Sequence, residues 1–212
     1  MHEIFRGVAV IPVLTIARAA DAVPLAAALV RGGLRVIEVT LRTPEAPAAI
    51  REMARRVPDA VVGAGTVLTG ADVTRASEAG ARFLVSPGLT PELAAAGRAG
   101  DLPYLPGAVT PSEVMAAREL GFSLLKFFPA AAAGGIEMLR AYAAVFAGVA
   151  FCPTGGISAE SAESYLALAN VPMIGGSWMA PADAVAAGDW RRIEELAAQA
   201  AKLGPAQSSL GF

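Results

Sequence analysis

The feature that most limits the fold of this chain is a regular alternation of short β-rich runs with longer alanine-rich helical stretches. Strands that alternate with helical segments of this length favour parallel strands joined by crossover helices. Eight runs have the apolar and β-branched composition of buried strands. These runs are 8–14, 35–41, 60–65, 82–86, 102–107, 123–128, 148–154 and 171–176. Eight strand-and-helix units without a break in composition predict an α/β fold with a single (β/α)8 barrel, the TIM barrel, as one domain over 1–212.

The chain length agrees with one closed barrel. The chain has 212 residues, of which 55% are hydrophobic, and such barrels run from about 200 residues upward. A doubly wound open sheet is the alternative, but it normally has fewer strands and a G-x-G-x-x-G turn after the first strand. The Gly63-Ala64-Gly65 segment lacks the third glycine of that turn. Residues 204–212 contain proline and serine, and we expect them to form a disordered or docking tail.

Three helix starts have the same signal, a threonine followed by a proline. Thr43-Pro44, Thr90-Pro91 and Thr110-Pro111 each combine an N-cap hydroxyl with proline at the first helical position. Glu92 and Glu113 then place negative charge in the first turn, where the helix dipole favours it. The sequence therefore predicts that a helix begins at each of these three points.

Charge and composition exclude several classes of protein. The net charge is −2 and no run is rich in Lys or Arg, so binding to nucleic acid or to a membrane surface has no electrostatic support. One cysteine, Cys152, can form neither an intramolecular disulfide nor a thiolate metal cluster. The single histidine, His2, argues against zinc enzymes and Ser-His-Asp hydrolases. Since no signal peptide or long apolar span is apparent, we expect a cytoplasmic protein.

Lys126 is the one charged residue of the sixth strand run, where it follows Leu124-Leu125 and precedes Phe127-Phe128. Apolar neighbours remove water from an amine and disfavour its charged form. A neutral amine can add to a carbonyl carbon and form a Schiff base. The pattern therefore predicts a lysine nucleophile. The alternative is a lysine that extends along the strand and places its ammonium group in solvent.

The second strand run carries polar residues on one face. Glu38, Thr40 and Arg42 alternate with apolar residues, so they point to the same side of the strand. In an ordinary amphipathic strand that side would face solvent. In a barrel the apolar side packs on the helices and the polar side points into the barrel mouth, where active sites form. The barrel then predicts Glu38 as a proton shuttle near Lys126 and Arg42 as a fork for a carboxylate.

Glycine-rich segments follow four of the predicted strands. We interpret Gly63-Ala64-Gly65-Thr66 as a place where the backbone and a ligand approach closely, with a structural turn as the alternative. A turn is the favoured interpretation of Ser86-Pro87-Gly88. Thr154-Gly155-Gly156 and Gly175-Gly176-Ser177 follow strands seven and eight, whose loops often bind phosphate in such barrels. These two segments predict a phosphate site made of backbone N–H groups and the Ser177 hydroxyl.

Taken together, these motifs resemble the 2-keto-3-deoxy-6-phosphogluconate (KDPG) aldolases over nearly the whole chain. The segments that carry the resemblance are 37–43, 62–68, 86–89, 126–130, 151–158 and 174–178. The resemblance implies a homotrimeric (β/α)8 barrel that cleaves KDPG to pyruvate and D-glyceraldehyde 3-phosphate without metal or cofactor. It also implies cleavage of 4-hydroxy-2-oxoglutarate to pyruvate and glyoxylate, and a place in the Entner–Doudoroff pathway.

The resemblance further implies a role for ten residues. Lys126 would be the Schiff-base lysine, and Glu38 the general acid and base. Arg42 and Thr66 match positions that hold the pyruvyl carboxylate. The remaining matches are the pocket-lining Pro87 and Phe128 and the phosphate-binding Gly155, Gly156, Gly176 and Ser177. Residues 130–135 depart from many relatives, which carry polar residues there.

Two other functions remain open at this point. One is a phosphate-binding barrel of another reaction type, such as an isomerase or a transferase similar to thiamin-phosphate synthase. The other is a non-catalytic barrel that binds sugar phosphates, since fold alone does not decide function. A combined lysine, glutamate and arginine set argues against the non-catalytic barrel, because binding alone needs no buried nucleophile. A barrel of another reaction type would differ in not trapping pyruvate on a lysine.

Overall fold

The computed structural model describes residues 3–204, so His2 and residues 205–212 of the predicted tail lie outside it. Within that range the chain forms eight strands, each followed by a helix. The strands are β1 Val10–Leu14, β2 Val36–Thr40, β3 Val61–Gly65, β4 Leu84–Val85, β5 Tyr104–Leu105, β6 Leu124–Phe127, β7 Ala150–Pro153 and β8 Ile174–Gly176. The helices are α1 Ala19–Arg31, α2 Ala46–Arg56, α3 Gly70–Glu78, α4 Pro91–Ala99, α5 Pro111–Glu119, α6 Gly135–Val145, α7 Ala159–Leu166, α8 Ala182–Ala187 and α9 Trp190–Ala200.

The parallel strands close into a ring. Six strands form one sheet in the order β5-β4-β3-β2-β1-β8, and β6 pairs with β7. Parallel bridges from Gly107 to Lys126 and from Thr154 to Gly175 join these two sheets at both edges. The predicted (β/α)8 barrel is therefore confirmed, and each strand lies within its predicted run.

Alternation along the strands separates two packing regions, as the two-residue period of a strand requires. Ile37 and Val39 face outward and belong to the large core between strands and helices. Val36 faces inward, in a smaller cluster that also contains Ile11, Phe83 and Leu105. Apolar side chains thus fill the barrel at the N-terminal ends of the strands, and polar ones lie above them.

A short 3-10 helix at Glu3–Phe5 covers the apolar end of the barrel. Phe5 is 2% exposed and its ring packs edge-on against Phe83, with 5.3 Å between the ring centroids. Since this end is covered and apolar, a polar ligand can enter only from the C-terminal ends of the strands.

Two of the three predicted helix starts are confirmed. The Thr90 hydroxyl accepts a hydrogen bond from the Leu93 N–H at 3.1 Å, and Thr110 forms a capping box with Glu113. The prediction for Thr43 is wrong, because α2 begins at Ala46 and has no side-chain cap.

The Thr43 hydroxyl instead donates to the Ile16 carbonyl oxygen at 2.7 Å and ties the loop after β2 to the loop after β1. Helix α8 has no signal in the sequence, because its six residues are too few to show a helical repeat. None of the helices within residues 3–204 has the length and apolar character needed to cross a membrane.

Candidate active site

A cavity of about 1160 Å³ opens at the C-terminal ends of the strands. All ten residues singled out from the sequence line it: Glu38, Arg42, Thr66, Pro87, Lys126, Phe128, Gly155, Gly156, Gly176 and Ser177. They come from six different strands or the loops that follow them, so only the closed barrel brings them together.

Lys126 and Glu38 meet inside the barrel. They lie on β6 and β2, which face each other across an eight-stranded ring. The Lys126 amine donates to both carboxylate oxygens of Glu38, at 3.0 Å to Oε1 and 3.3 Å to Oε2. Lys126 is 5% exposed and Glu38 is 3% exposed. Burial of both residues rules out a solvent-facing glutamate and a lysine that extends into solvent.

The apolar side of the Lys126 amine is formed by Phe128, whose ring centroid lies 5.5 Å from Nζ. Cys152 lies next to Lys126 in the barrel and is fully buried, and burial raises the pKa of its thiol to about 12. The thiol therefore stays protonated at neutral pH and adds no charge to the pair.

Glycines of β3 make room for the carboxylate. A Cβ atom on Gly65 would overlap the Glu38 carboxylate, and one on Gly63 would overlap the Phe83 ring. The sequence alone favours close approach of a ligand at these glycines. The structure assigns the space to protein side chains, and Gly65 in particular sets where the Glu38 carboxylate can lie.

Thr66, directly after β3, has a left-handed backbone conformation with φ of 57°. A β-branched residue is strained in this region, at a cost of about 1–3 kcal/mol, and persists only where its surroundings hold it. Hydrogen bonds on both sides do so, from Leu41 N to Gly65 O at 2.8 Å and from Val67 N to Val85 O at 3.1 Å. The strained backbone therefore belongs to a residue, Thr66, that lines the cavity.

Arg42 is an exposed cation on the cavity wall. Among residues 3–204 it has neither a hydrogen-bond partner nor an ion-pair partner for its guanidinium group. An unpaired guanidinium offers two parallel N–H donors, which match the geometry of a carboxylate. The arrangement can therefore bind the carboxylate of a small ligand beside the lysine.

Pro87 is held in the cavity wall by a buried hydroxyl pair. The Ser86 hydroxyl donates to the Gly88 carbonyl oxygen at 2.5 Å, and the Tyr104 hydroxyl lies 2.6 Å from Ser86 Oγ. Because the Ser86 proton is used for Gly88, Tyr104 is the donor in the second bond. Burial raises the pKa of Tyr104 to about 12, which keeps that donor protonated. The predicted turn at 86–88 thus has a second function as a rigid wall.

The glycine rim, which we define as Gly155, Gly156, Gly176 and Ser177, lines another part of the cavity. Gly155 and Gly156 have φ of 97° and 76°, a backbone conformation that glycine adopts without strain. The segment 130–135, where the sequence departs from many relatives, packs beside them: Ala131 N donates to Gly155 O at 3.0 Å. The rim is therefore built by backbone geometry rather than by long side chains.

Four further residues line the cavity without a role predicted from the sequence, although the two-residue period of β2 already placed Thr40 on the side that faces the barrel mouth. Thr15 and Thr40 are joined at 3.0 Å between their hydroxyl oxygens, and Thr40 donates to the Leu14 carbonyl oxygen at 2.9 Å. Arg18 and Asp21 form an ion pair at the cavity. The available signal was position: Thr15 and Arg18 lie in the loop after a strand, which is where ligand-binding residues of a barrel are found.

The charged groups that line the cavity suit a small organic anion as ligand. Within residues 3–204 no group of three or more His, Cys, Asp or Glu side chains is arranged to hold a metal ion. A buried amine, a carboxylate in contact with it and an unpaired guanidinium together suit covalent chemistry on a keto acid.

Comparisons with known proteins identify the family. The family model for KDPG and KHG aldolase matches residues 1–196. The KHG/KDPG aldolase of Escherichia coli K12 is 52% identical over 191 residues, 90% of each chain. A KDPG aldolase structure from Legionella pneumophila, with pyruvate captured at low pH as a covalent carbinolamine intermediate, is 48% identical with a TM-score of 0.89, covering 92% of this chain and 95% of that one. The Zymomonas mobilis ZM4 enzyme with 3-phosphoglycerate is 46% identical with a TM-score of 0.91 and 97% coverage of both chains. The chain belongs to the KDPG and KHG aldolase family.

Proposed function

We propose that this protein is a class I aldolase that cleaves KDPG to pyruvate and D-glyceraldehyde 3-phosphate through a Schiff base on Lys126. The observation that carries the proposal is the buried contact of Lys126 with Glu38, 3.0 Å long, in the C-terminal mouth of the barrel. The relative that holds pyruvate as a covalent carbinolamine supports the same chemistry.

The reaction begins with the amine. Transfer of a proton from Lys126 to Glu38 within their hydrogen bond leaves a neutral amine, which attacks C2 of the keto acid. The carbinolamine that forms loses water, with a proton supplied by Glu38, and becomes a protonated imine. Its positive charge next to C3 makes it an electron sink.

Carbon–carbon cleavage follows. The Glu38 carboxylate, by way of a water molecule, removes the proton of the C4 hydroxyl. The C3–C4 bond breaks, its electron pair moves to the imine as an enamine, and glyceraldehyde 3-phosphate leaves as the aldehyde. Protonation at C3 and hydrolysis of the imine then release pyruvate and restore Lys126.

Binding at both ends of the substrate holds the reacting bond in place. We assign Arg42 and Thr66 to the pyruvyl carboxylate, and Pro87 and Phe128 to the walls around the reacting carbons. The glycine rim takes the phosphate through backbone N–H groups and the Ser177 hydroxyl. Because both ends of the substrate are held, the C3–C4 bond stays in a productive position relative to Lys126 and Glu38.

The same site accommodates 4-hydroxy-2-oxoglutarate, which shares the keto-acid end, and we propose its cleavage to pyruvate and glyoxylate as a second activity. We also propose that the protein acts in the cytoplasm, in the Entner–Doudoroff pathway, as a homotrimer. Met115 and Val145 lie outside the cavity and are large apolar side chains more than half exposed, which supports contact with further copies.

The two other functions left open by the sequence, an isomerase or transferase and a non-catalytic barrel, do not need a buried lysine in contact with a carboxylate. A single experiment separates them. The chain has two lysines, Lys126 and Lys202, so borohydride reduction in the presence of pyruvate has only one other lysine to label. We expect the reduced pyruvyl group on Lys126, together with pyruvate release from KDPG in a lactate dehydrogenase assay. Labelling of Lys202 instead, or no labelling of folded protein, would contradict the proposal.

A further inference from the structure

An ion pair that the proposed reaction does not use lies at the cavity, at the start of α1. The Arg18 guanidinium donates to both oxygens of Asp21, with Nε to Oδ2 at 2.8 Å and the second contact at 2.9 Å. Both residues line the cavity. The Asp21 side chain is 13% exposed and that of Arg18 is 62% exposed, so a partly buried carboxylate holds an accessible guanidinium.

Strand register places the loop that carries Arg18 beside the loop that carries Ser177. β1 pairs with β8, and Pro12 lies opposite Gly176. The loop after β1 therefore rises beside the loop after β8, and Arg18 lies six residues beyond Pro12 while Ser177 directly follows Gly176. Residues of α8, including Ala182 and Val185, also line the cavity.

Arg18 is the one cation of the described cavity residues that is left to bind a substrate phosphate. Of the described residues that line the cavity, three are cationic and two are anionic. Lys126 is paired with Glu38, and Arg42 is assigned to the carboxylate of the keto acid. Arg18 is the remaining cation, and its pairing with Asp21 raises the pKa of its guanidinium, which stays charged at any physiological pH.

The pair also leaves donors available. A guanidinium has five N–H donors in a fixed fork, and the contacts with Asp21 occupy one on Nε and one on the adjacent terminal nitrogen. Three N–H groups remain for a second ligand. Because Asp21 already fixes the plane of the fork, less side-chain entropy is lost when that ligand binds.

We propose that Arg18, oriented by Asp21, binds the phosphate group of the substrate beside the glycine rim and sets the preference for phosphorylated over non-phosphorylated keto acids. This inference rests on the proposed aldolase function for the identity of the substrate. In KDPG the phosphate is on C6, whereas 4-hydroxy-2-oxoglutarate ends in a carboxylate at C5 and carries no phosphate. Arg18 thus acts on one substrate and leaves the other unaffected.

The test is Arg18→Gln, which removes the charge and keeps a polar side chain of similar length. The matched control is Arg31→Gln, because Arg31 is also exposed and paired with a carboxylate, that of Glu194, but does not line the cavity. We expect Arg18→Gln to raise KM for KDPG about tenfold or more, as loss of a charge-assisted hydrogen bond does. The kcat for KDPG and the KM for 4-hydroxy-2-oxoglutarate should stay within about twofold of the unaltered protein.

A binding measurement keeps this test independent of catalysis. Titration with inorganic phosphate, followed by phosphorus NMR, should show about tenfold weaker affinity for Arg18→Gln and no change for Arg31→Gln. Equal losses on both substrates, or unchanged phosphate affinity, would overturn the inference. If the unaltered protein cleaved neither substrate, the proposed function would be overturned. Weaker phosphate binding by Arg18→Gln would in that case still support the phosphate site.

Discussion

Two regions of the cavity are built in different ways. One is the reaction centre, formed by Lys126 and Glu38, and the other is the glycine rim. The reaction centre consists of two charged side chains that are almost fully buried and are fixed by their mutual hydrogen bonds. The rim consists of backbone whose direction depends on positive φ angles at Gly155 and Gly156. The proposed chemistry therefore depends on two side chains, whereas the shape of the rim depends on glycines, which have no side chain.

The two regions should respond differently to substitution. A change at the reaction centre removes a group that acts in the transition state, so it should lower kcat. A change at the rim alters binding of a part of the substrate that does not react, so it should act mainly on KM.

The largest effect is expected for Lys126→Met. Loss of the amine removes the covalent step, and kcat for KDPG should fall by about 10⁴-fold or more, the scale of losing an enzymatic nucleophile. Lys202→Met is the control, because Lys202 is exposed and outside the cavity. Steady-state pyruvate release measures both variants, and a Lys126→Met variant with more than a few per cent of the original kcat would break the assignment.

Glu38→Gln should have the next largest effect. The amide keeps the shape of the side chain but cannot accept a proton, and kcat should fall by roughly 10²–10⁴-fold, the range for general acid and base catalysis. Glu194→Gln, which alters a surface ion pair with Arg31, serves as the control. If Glu38→Gln turned over at nearly the original rate in single-turnover measurements, Glu38 would have no part in proton transfer.

Gly65→Ala tests whether the position of the carboxylate matters as well as its presence. The new Cβ would overlap the Glu38 carboxylate and displace it from Lys126. Displacement of a catalytic group by about 1 Å costs on the order of 10²-fold in rate. Gly70→Ala is the control, since its Cβ would meet only Ala96 at 3.5 Å. An unchanged kcat in Gly65→Ala would show that the carboxylate has room to adapt.

Gly156→Ala moves the test to the rim and should have the smallest effect on kcat. Its φ of 76° is strained for alanine, and the added Cβ would press on Ala131. We expect KM for KDPG to rise about tenfold, from strain of about 1–2 kcal/mol, with kcat and the KM for 4-hydroxy-2-oxoglutarate little changed. An equal loss of kcat on both substrates would contradict the prediction that the rim acts on substrate binding and not on the reaction.

The sequence was informative wherever a local repeat determines the outcome. The two-residue period of β2 predicted that Glu38 and Arg42 share a face, and the closed barrel turns that face into the mouth. The glycine pairs at 155–156 and 175–176 predicted a rim because only glycine leaves backbone N–H groups so open.

What the sequence could not predict depends on contacts between distant segments. The Thr43 hydroxyl is used by the Ile16 carbonyl of the neighbouring loop rather than by its own helix. Gly65 makes space for Glu38, a residue of the adjacent strand. Arg18 and Asp21 have the spacing of an ordinary surface ion pair, and only the closed barrel makes them line the same cavity as the rim.

The most direct test of the account is a crystal structure of the protein soaked with pyruvate. The account predicts continuous electron density from the Lys126 Nζ atom to C2 of pyruvate, with the pyruvate carboxylate on Arg42 and the Glu38 carboxylate within hydrogen-bond reach of the new bond. Pyruvate bound without a covalent link to Lys126, or seated away from Glu38 and Arg42, would contradict it.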